Sequence, residues 1–180
     1  VGADGIREKD GQKLTIKLMS ATEVADLMNS LVPVWQDGWA KQLGVDLKQT
    51  TVDFNTLTEK VTDDEALGEW NVFFMAVGFT GASLTEINNT FLSTASGRDG
   101  NYARVNDPSI DKYLNAGLNT ADEKVAEDNY KKAIIAANEY CAYVPLYGNT
   151  YFDLYNKRVK GLKTGPVYTW ADAMADVTLE

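Results

Sequence analysis

The stretch LTIKLMSATEVADLMNSLVPVWQDGWAKQLGVDL, residues 14–47, decides the fold. Apolar and polar residues alternate over positions 14–18, a pattern that predicts a half-buried strand. Apolar residues then recur every three or four positions over 24–43, which predicts an amphipathic helix with a kink or break near Pro33. A second alternation begins at Val45 and predicts another strand. A strand, a helix and a strand in this order indicate an α/β fold.

The following residues continue the alternation of helices and strands. Residues 53–61 carry the apolar spacing of a shorter helix, and residues 71–77 form the nearly unbroken apolar run NVFFMAV. Such a run is typical of a strand that is covered on both faces, so we expect it at a central position in the sheet. Right-handed crossovers would place the helices against the sheet. The predicted fold is a mixed, largely parallel sheet flanked by helices, in a single domain over residues 1–180.

Short signals mark where the helices begin and end. A capping box, in which a Ser or Thr and a Glu three residues later satisfy each other's backbone donors, is expected at three helix starts. An Asp before the helix, alone or followed by Pro, marks two more starts, and a Gly after the last apolar residue marks one end. The boxes are Ser20–Glu23, Ser83–Glu86 and Thr120–Glu123, the other starts are Asp53 and Asp107-Pro108, and the end is Gly44.

The two ends of the chain have simpler patterns. Two Asp-Gly pairs within residues 4–11 predict a turn or a small hairpin. In the C-terminal half, apolar residues at helical spacing predict helices over 110–118 and 126–141, and Pro145 forces the chain after them into an extended form. Residues 151–163 suggest a strand and a turn.

Composition argues against several classes of function. The 17 basic and 26 acidic residues give a formal net charge of −9, and an acidic surface repels nucleic acid and anionic membranes. The chain has no His and a single Cys, Cys141, which argues against zinc and copper sites. Cys141 falls on an apolar helix stripe, so we expect its side chain to be buried. No run of 18 apolar residues occurs, so the sequence predicts no membrane span.

The sequence also lacks the motifs of common catalytic sites. Neither the G-x-S-x-G nucleophile elbow nor the G-x-x-x-x-G-K-[ST] phosphate loop is present. Acidic groups at 63–65 and 122–123 lie in polar segments that we expect to be solvated, which disfavours a pair of hydrolytic carboxylates. We therefore predict no catalytic residue, no metal site and no cofactor. The sequence begins at Val1 and contains neither a signal peptide nor a lipid-attachment motif. We therefore expect the chain to be part of a longer protein.

Several phrases, in a fixed order, resemble the peptide/nickel-type (family 5) extracellular solute-binding proteins of bacterial ABC importers. In order, they match five parts of the family's C-terminal lobe. These are the residues before its first strand, the junction between a helix and the next strand, the buried strand with the ligand-facing loop after it, the start of the helix before its long helix, and the segment that returns toward the hinge. The phrases are DGIREKDGQKL at 4–14, LGVDL at 43–47, WNVFFM with Gly78-Phe79 at 70–79, DPSIDKYL at 107–114, VPLY at 144–147 and KRVKG at 157–161.

The resemblance implies the second α/β lobe of a class II, periplasmic-binding-protein-like clamp, in which two lobes close around a ligand. The N-terminal lobe would be missing from the chain, and residues 156–180 would form the return toward it. The implied function is to capture an oligopeptide or a similar small solute and to deliver it to the permease subunits of an ABC importer. The implied location is extracytoplasmic, as a periplasmic protein or a cell-surface lipoprotein, without a nucleic-acid partner.

The resemblance places the ligand site in the loop after the 71–77 strand. Glycines there let backbone groups approach a ligand closely, and an aromatic side chain can pack against it, although the same glycines suit a tight turn without a ligand. Peptide-binding members carry an aspartate for the free amine in this loop; this chain does not, so the class of ligand stays open. Tyr147 would share one face of a predicted strand with Tyr151 and Tyr155, and packing is the alternative role for its ring. The expected ligand-binding residues are Gly78, Phe79, Thr80, Gly81, Ala82 and Tyr147.

Two other functions stay open from sequence alone. The same lobe joined to a DNA-binding helix-turn-helix would be the sensor of a regulator. A pair of carboxyls with a strongly raised pKa inside a cleft would instead indicate a hydrolase. For a lobe separated from its partner lobe, we also expect an unusually apolar surface.

Overall fold

The computed structural model describes residues 1–76, 84–148, 152–165, 168 and 170–180. The chain forms two compact units, Val1–Ala76 and Val77–Glu180. The first unit holds a parallel sheet with helices, and the second is mainly helical. The predicted α/β class with a largely parallel sheet is confirmed, and the single domain stays a prediction.

The first unit opens with a hairpin of two short strands, β1 Glu8–Lys9 and β2 Gln12–Lys13. Its turn residues, Asp10 and Gly11, both have positive φ, at 53° and 74°. Positive φ at both central positions is the geometry of a type I′ turn, which Asp-Gly favours. The hairpin predicted from the Asp-Gly pairs is therefore confirmed at this pair.

Three strands form a parallel sheet in the order β4-β3-β5. The strands are β3 Thr15–Ala21, β4 Asp46–Val52 and β5 Val72–Phe73. The central strand β3 pairs with β4 along its whole length and with β5 at Leu18 and Met19. The last four residues of β3 are all buried, which is the burial expected of a strand with a neighbour on each edge.

Two helices, α1 Ala25–Leu43 and α2 Phe54–Thr62, connect the three strands. The apolar face of α1 packs on the sheet through the buried Met28 and Val32, and α2 lies against β3. The crossover from β3 to β4 and the crossover from β4 to β5 run in opposite directions across the sheet, so their usual right hand places the two helices on opposite faces. A single helix α1 runs through Pro33, so of the predicted kink or break the break is wrong and the kink stays a prediction. The missing backbone donor did not end a helix that is buried through Met28 and Val32.

Two of the predicted helix boundaries in this unit are confirmed. Asp53 caps α2, because its carboxylate accepts a hydrogen bond of 3.0 Å from the backbone N–H of Thr56. The helix α1 ends at Gly44, which has φ 63° and donates its N–H to the carbonyl of Ala40. A Cβ at this position would lie 3.0 Å from the carbonyl oxygen of Gly5, so glycine is required by both conformation and space.

The position of the 71–77 run is a correction. Among the described residues its strand is β5, which has two residues and lies at an edge of the sheet, with Val72 40% exposed. The apolar side chains of the run meet other partners. Phe73 meets Trp70 edge-on, with ring centroids 5.2 Å apart, and Phe74 packs with the α1 cluster. An apolar run predicts burial but does not specify the covering element.

The described residues of the second unit include four α-helices and one small antiparallel ladder. Its main apolar core is formed by the helices that start at Pro108 and Glu123, together with Val105 in the loop before them. The helices are α3 Thr85–Phe91, α4 Pro108–Leu118, α5 Glu123–Tyr140 and α6 Trp170–Met174, and the ladder joins β6 Val159–Lys160 to β7 Thr178–Leu179.

The starts of α4 and α5 show one prediction confirmed and one wrong. Asp107 caps α4 with Pro108 at the first helical position, as predicted. The cap of α5 is Asp122, whose carboxylate accepts the backbone N–H groups of Lys124 and Val125, so the expected box at Thr120–Glu123 is wrong. Asp competes well with Thr as a cap, and it lies directly before the first turn.

Close contact between α4 and α5 depends on a glycine. A Cβ at Gly117 would lie 2.8 Å from the ring of Tyr130, which is 6% exposed. The hydroxyl of Tyr130 in turn accepts a hydrogen bond of 3.2 Å from the side-chain amide of the buried Asn88. These contacts join α3, α4 and α5 around one core.

A buried asparagine organises the loop before α4. The side chain of Asn101, 2% exposed, donates to the carbonyls of Leu92 and Val105 and accepts the backbone N–H of Val105 at 2.7 Å. Its amide therefore serves backbone groups that would otherwise be buried without partners. This loop carries Val105 into the core beside Leu114.

The C-terminal segment corrects two predictions. Cys141 is exposed rather than buried, because the chain turns at this residue into the left-handed region, φ 59°, and leaves the helical stripe. Within the described residues of 151–163 the strand is limited to Val159–Lys160. The shared strand face expected for Tyr147 and Tyr155 is therefore absent from the part of the chain that the structure describes.

Substitution of Gly117 by Ala should destabilise the protein. The new methyl group would overpack the ring of Tyr130, at a cost of about 1–3 kcal/mol. A control is Gly38→Ala in α1, where nothing lies within 4 Å of the added Cβ and a gain of up to about 1 kcal/mol is expected. Urea denaturation measures both. Equal changes in the free energy of unfolding would contradict the close α4–α5 contact.

Candidate functional site

The carboxyl ends of β3 and β5 form the candidate site of the first unit. β3 is the first strand of the sheet, and the chain moves to β4 on one side and to β5 on the other. With right-handed crossovers, the segments that leave β3 and β4 lead to helices on opposite faces of the sheet and open a crevice at their carboxyl ends, beside the end of β5. In open α/β sheets ligands bind in such a crevice, outside the carboxyl ends of the strands.

The end of β3 is fixed by polar contacts that differ from the predicted capping box. Ser20 lies inside β3, fully buried, and its hydroxyl accepts a hydrogen bond of 2.9 Å from the side-chain amide of Gln49. The box between Ser20 and Glu23 is thus wrong, because the strand continues through Ser20 and a 3₁₀ turn, Thr22–Val24, follows it.

Glu23 instead joins the end of β3 to the start of α2. Its carboxylate accepts the backbone N–H of Phe54 at 3.2 Å and the hydroxyl of Thr22 at 3.1 Å. Hydrogen bonds from its own backbone N–H and from that of Phe54 hold the pKa of Glu23 below its ordinary value of 4.5. Sequence reasoning missed this role, since Glu23 and Phe54 are 31 positions apart.

Asp53 supplies a second exposed carboxylate at the same end of the sheet. Its strongest contact is the hydroxyl of Thr56 at 2.5 Å, followed by the backbone N–H of the same residue. These bonds hold the pKa of Asp53 below its ordinary value of 3.8. Both carboxylates therefore stay ionised at neutral pH beside the positive end of α2.

The end of β5 is apolar. Phe73, Phe74 and Met75 are half-buried, and the indole N–H of Trp70 donates to the carbonyl of Lys60 at 3.2 Å. The backbone N–H of Phe74 donates to the carbonyl of Met19 at 3.0 Å and is the last bond to β3 in the described chain. Apolar side chains and ionised carboxylates at the same end of the sheet suit a ligand with both apolar and polar groups.

The structure describes one of the six predicted ligand-binding residues. Gly78, Phe79, Thr80, Gly81 and Ala82 lie outside the described residues. Tyr147 is 57% exposed in a segment without regular secondary structure, in the second unit. Its role as a ligand contact stays a prediction.

The acidic segments considered for hydrolysis are solvated. Asp122 is the exposed cap of α5. A shallow depression of about 340 Å³ is lined by four carboxylates and by Lys60, which forms an ion pair with one of them, Glu69. Wherever the pKa of a described carboxyl departs from its ordinary value, it is lowered, which is opposite to the shift that a general acid needs.

Two further features are absent from the described ranges. No three side chains of His, Cys, Asp or Glu in them are placed to hold a metal ion. None of the helices within these ranges combines the length and the apolar character that crossing a membrane requires.

The comparisons with known proteins agree in their fold. No family model and no curated protein matches the sequence. Among solved structures, the chain is similar to the oligopeptide-binding protein AppA of Bacillus subtilis in complex with a nonapeptide. The TM-score is 0.70 at 19% identity, over 99% of this chain and 34% of that one.

Two further structures extend this likeness. NikZ from Campylobacter jejuni, in complex with Ni(L-His), matches with a TM-score of 0.72 at 21% identity, over 98% of this chain and 36% of NikZ. The ABC transporter substrate binding protein CtaP of Listeria monocytogenes matches with a TM-score of 0.56 at 20% identity, over 66% and 23%. The chain spans about a third of the length of AppA and NikZ. The fold that the sequence resemblance implied is confirmed.

Stability should fall in acid because of Glu23 and Asp53. Each pKa is lower in the folded state than its ordinary value, so the stabilisation is present above that value and is lost as the pH falls through the folded pKa. Urea denaturation from about pH 5 downward should show this loss. The double variant Glu23→Gln/Asp53→Asn keeps acceptors that do not titrate and should show a smaller loss. Glu139→Gln, on the exposed side of α5, is the control; equal losses in both variants would refute the assignment.

Proposed function

We propose that the chain is the second lobe of a solute-binding protein that serves an ABC importer. In this proposal the protein captures an oligopeptide or a similar small solute in a cleft between two lobes and delivers it to the permease. The observation that carries the proposal is the match to AppA over 99% of this chain, with a TM-score of 0.70. The ordered sequence phrases that resemble the same class of protein support it independently.

The architecture of the first unit supports a ligand-binding role. The segment Gly78–Ala82 follows β5 in the sequence after residues 74–77, and β5 ends beside the carboxyl end of β3. In the proposed site, backbone groups of Gly78 and Gly81 approach the solute, and Phe79 packs against it. Thr80, Ala82 and Tyr147 complete the proposed contacts. No reaction is part of the proposal.

Exposed apolar side chains in the second unit support the presence of a further lobe. Val144 is 69% exposed, Phe152 84% and Leu154 99%. Isolated apolar residues on a surface are ordinary, but these three fall between positions 144 and 154 of the sequence. We propose that the N-terminal lobe of the longer protein covers this segment, and that residues 156–180 return toward it. The longer protein would be extracytoplasmic and held at the membrane by a lipid anchor or free in the periplasm.

The proposal is tested by a thermal-shift screen of the longer protein that contains this chain. The panel holds di- to nonapeptides, simple sugars and Ni(L-His). A ligand that binds only the folded state adds about 2.7 kcal/mol to the free energy of unfolding when its concentration is a hundred times its Kd. The melting temperature rises as a result. We expect a shift with the peptide members. A well-folded protein that shifts with no member would contradict a peptide-binding role.

Substitution in the proposed loop should weaken binding without unfolding the protein. In the longer protein, Phe79→Ala and Tyr147→Ala are each expected to raise the Kd for the peptide found in the screen by about tenfold or more, because an aromatic contact is lost. Tyr140→Ala is the control, since Tyr140 is 43% exposed at the end of α5. Calorimetric titration measures the three variants. An unchanged Kd in Phe79→Ala would remove the loop from the site.

A further inference from the structure

The strand β5 is attached to β3 by a short ladder. Within the described residues, the paired positions of β5 are Val72 and Phe73, opposite Leu18 and Met19. By comparison, β4 is paired with β3 over seven residues. Because the side-chain period of a strand is two residues, a slip of one residue in β5 would turn every following side chain to the other face. The register of β5 therefore needs a further constraint.

Asn71 provides this constraint at the amino end of β5. Its backbone N–H donates to the carbonyl of Lys17 at 2.9 Å, and its side-chain Oδ1 accepts the backbone N–H of the same Lys17 at 2.9 Å. The side-chain oxygen thus takes the place that a backbone carbonyl would have in a longer ladder. A pair of bonds to one residue is satisfied in a single register.

Neighbouring contacts hold the segment before Asn71 in place. The ammonium group of Lys17 donates to the carbonyl of Gly68 at 2.8 Å. Trp70 is 7% exposed and its indole N–H is bonded to the carbonyl of Lys60. These contacts fix the position of the chain just before β5, and the two bonds of Asn71 to Lys17 then fix which residues of β5 pair with β3.

We propose that Asn71 is a positioning residue: its side chain sets the register of β5 and with it the point where Phe74–Ala76 leave the sheet toward the proposed ligand loop. The importance of that point for binding rests on the proposed function. The control of the register by Asn71 does not, and its test needs no ligand.

The test is amide hydrogen exchange and ¹⁵N NMR on the 180-residue chain. Asn71→Leu has a similar size but no acceptor, and it should accelerate exchange at the Phe74 amide at least about tenfold while the amides between β3 and β4 change by less than about twofold. The resonances of residues 74–82 should shift. Asn71→Asp keeps the acceptor and should restore wild-type exchange and resonances. Asn138→Leu, exposed on α5, is the matched control and should leave all of them unchanged.

Three results would overturn the proposal. In Asn71→Leu, either wild-type exchange at Phe74 or an equal acceleration in both ladders would show that the side chain has no specific hold on β5. An Asn71→Asp variant that behaves like Asn71→Leu would show that the acceptor is not the active feature. The outcome of the ligand screen enters none of these results, so a failure of the proposed function and a failure of the register are distinguished.

Discussion

The pairing of β3 on both of its edges is the constraint on which the first unit depends. A parallel strand with a neighbour on each side forces the crossovers after β3 and β4 to run in opposite directions, so the sheet is covered on both faces. The same arrangement leaves the carboxyl ends of β3 and β5 side by side. Everything proposed about binding depends on that juxtaposition, because the segment Gly78–Ala82 follows β5 directly along the chain.

A different constraint organises the second unit. There the helices α4 and α5 approach closely because Gly117 leaves space for the ring of Tyr130, and buried amides satisfy the backbone and hydroxyl groups that this packing encloses. Asn101 and Asn88 are both nearly fully buried; Asn101 bonds backbone groups of Leu92 and Val105, and Asn88 bonds the hydroxyl of Tyr130. Polar groups in a core of this size fix one arrangement, since any other would leave them without partners.

Apolar periodicity was sufficient to predict α1, α2, α4 and α5 and a largely parallel sheet, and capping chemistry predicted the boundaries at Asp53 and Asp107. Predictions failed where a local pattern has two solutions. Ser20 fits a capping box, but it also fits the end of a buried strand, and the partner that decides, Gln49, is 29 positions away. The bond from Lys17 to Asn71 spans 54 positions and leaves no local signal. From sequence, the site could be predicted only as a loop after a strand. The hydrogen bonds that position the ends of the strands join residues far apart in the sequence.

We propose that the solute binds at the carboxyl ends of β3 and β5. A crystal structure of the proposed longer protein with a bound peptide tests this placement. We expect the solute to lie within contact distance of Phe74–Ala76, which leave β5, and of the turn Thr22–Val24 or its neighbours. A solute seated elsewhere, for example in the acidic depression beside Lys60 or on another part of the protein alone, would contradict it.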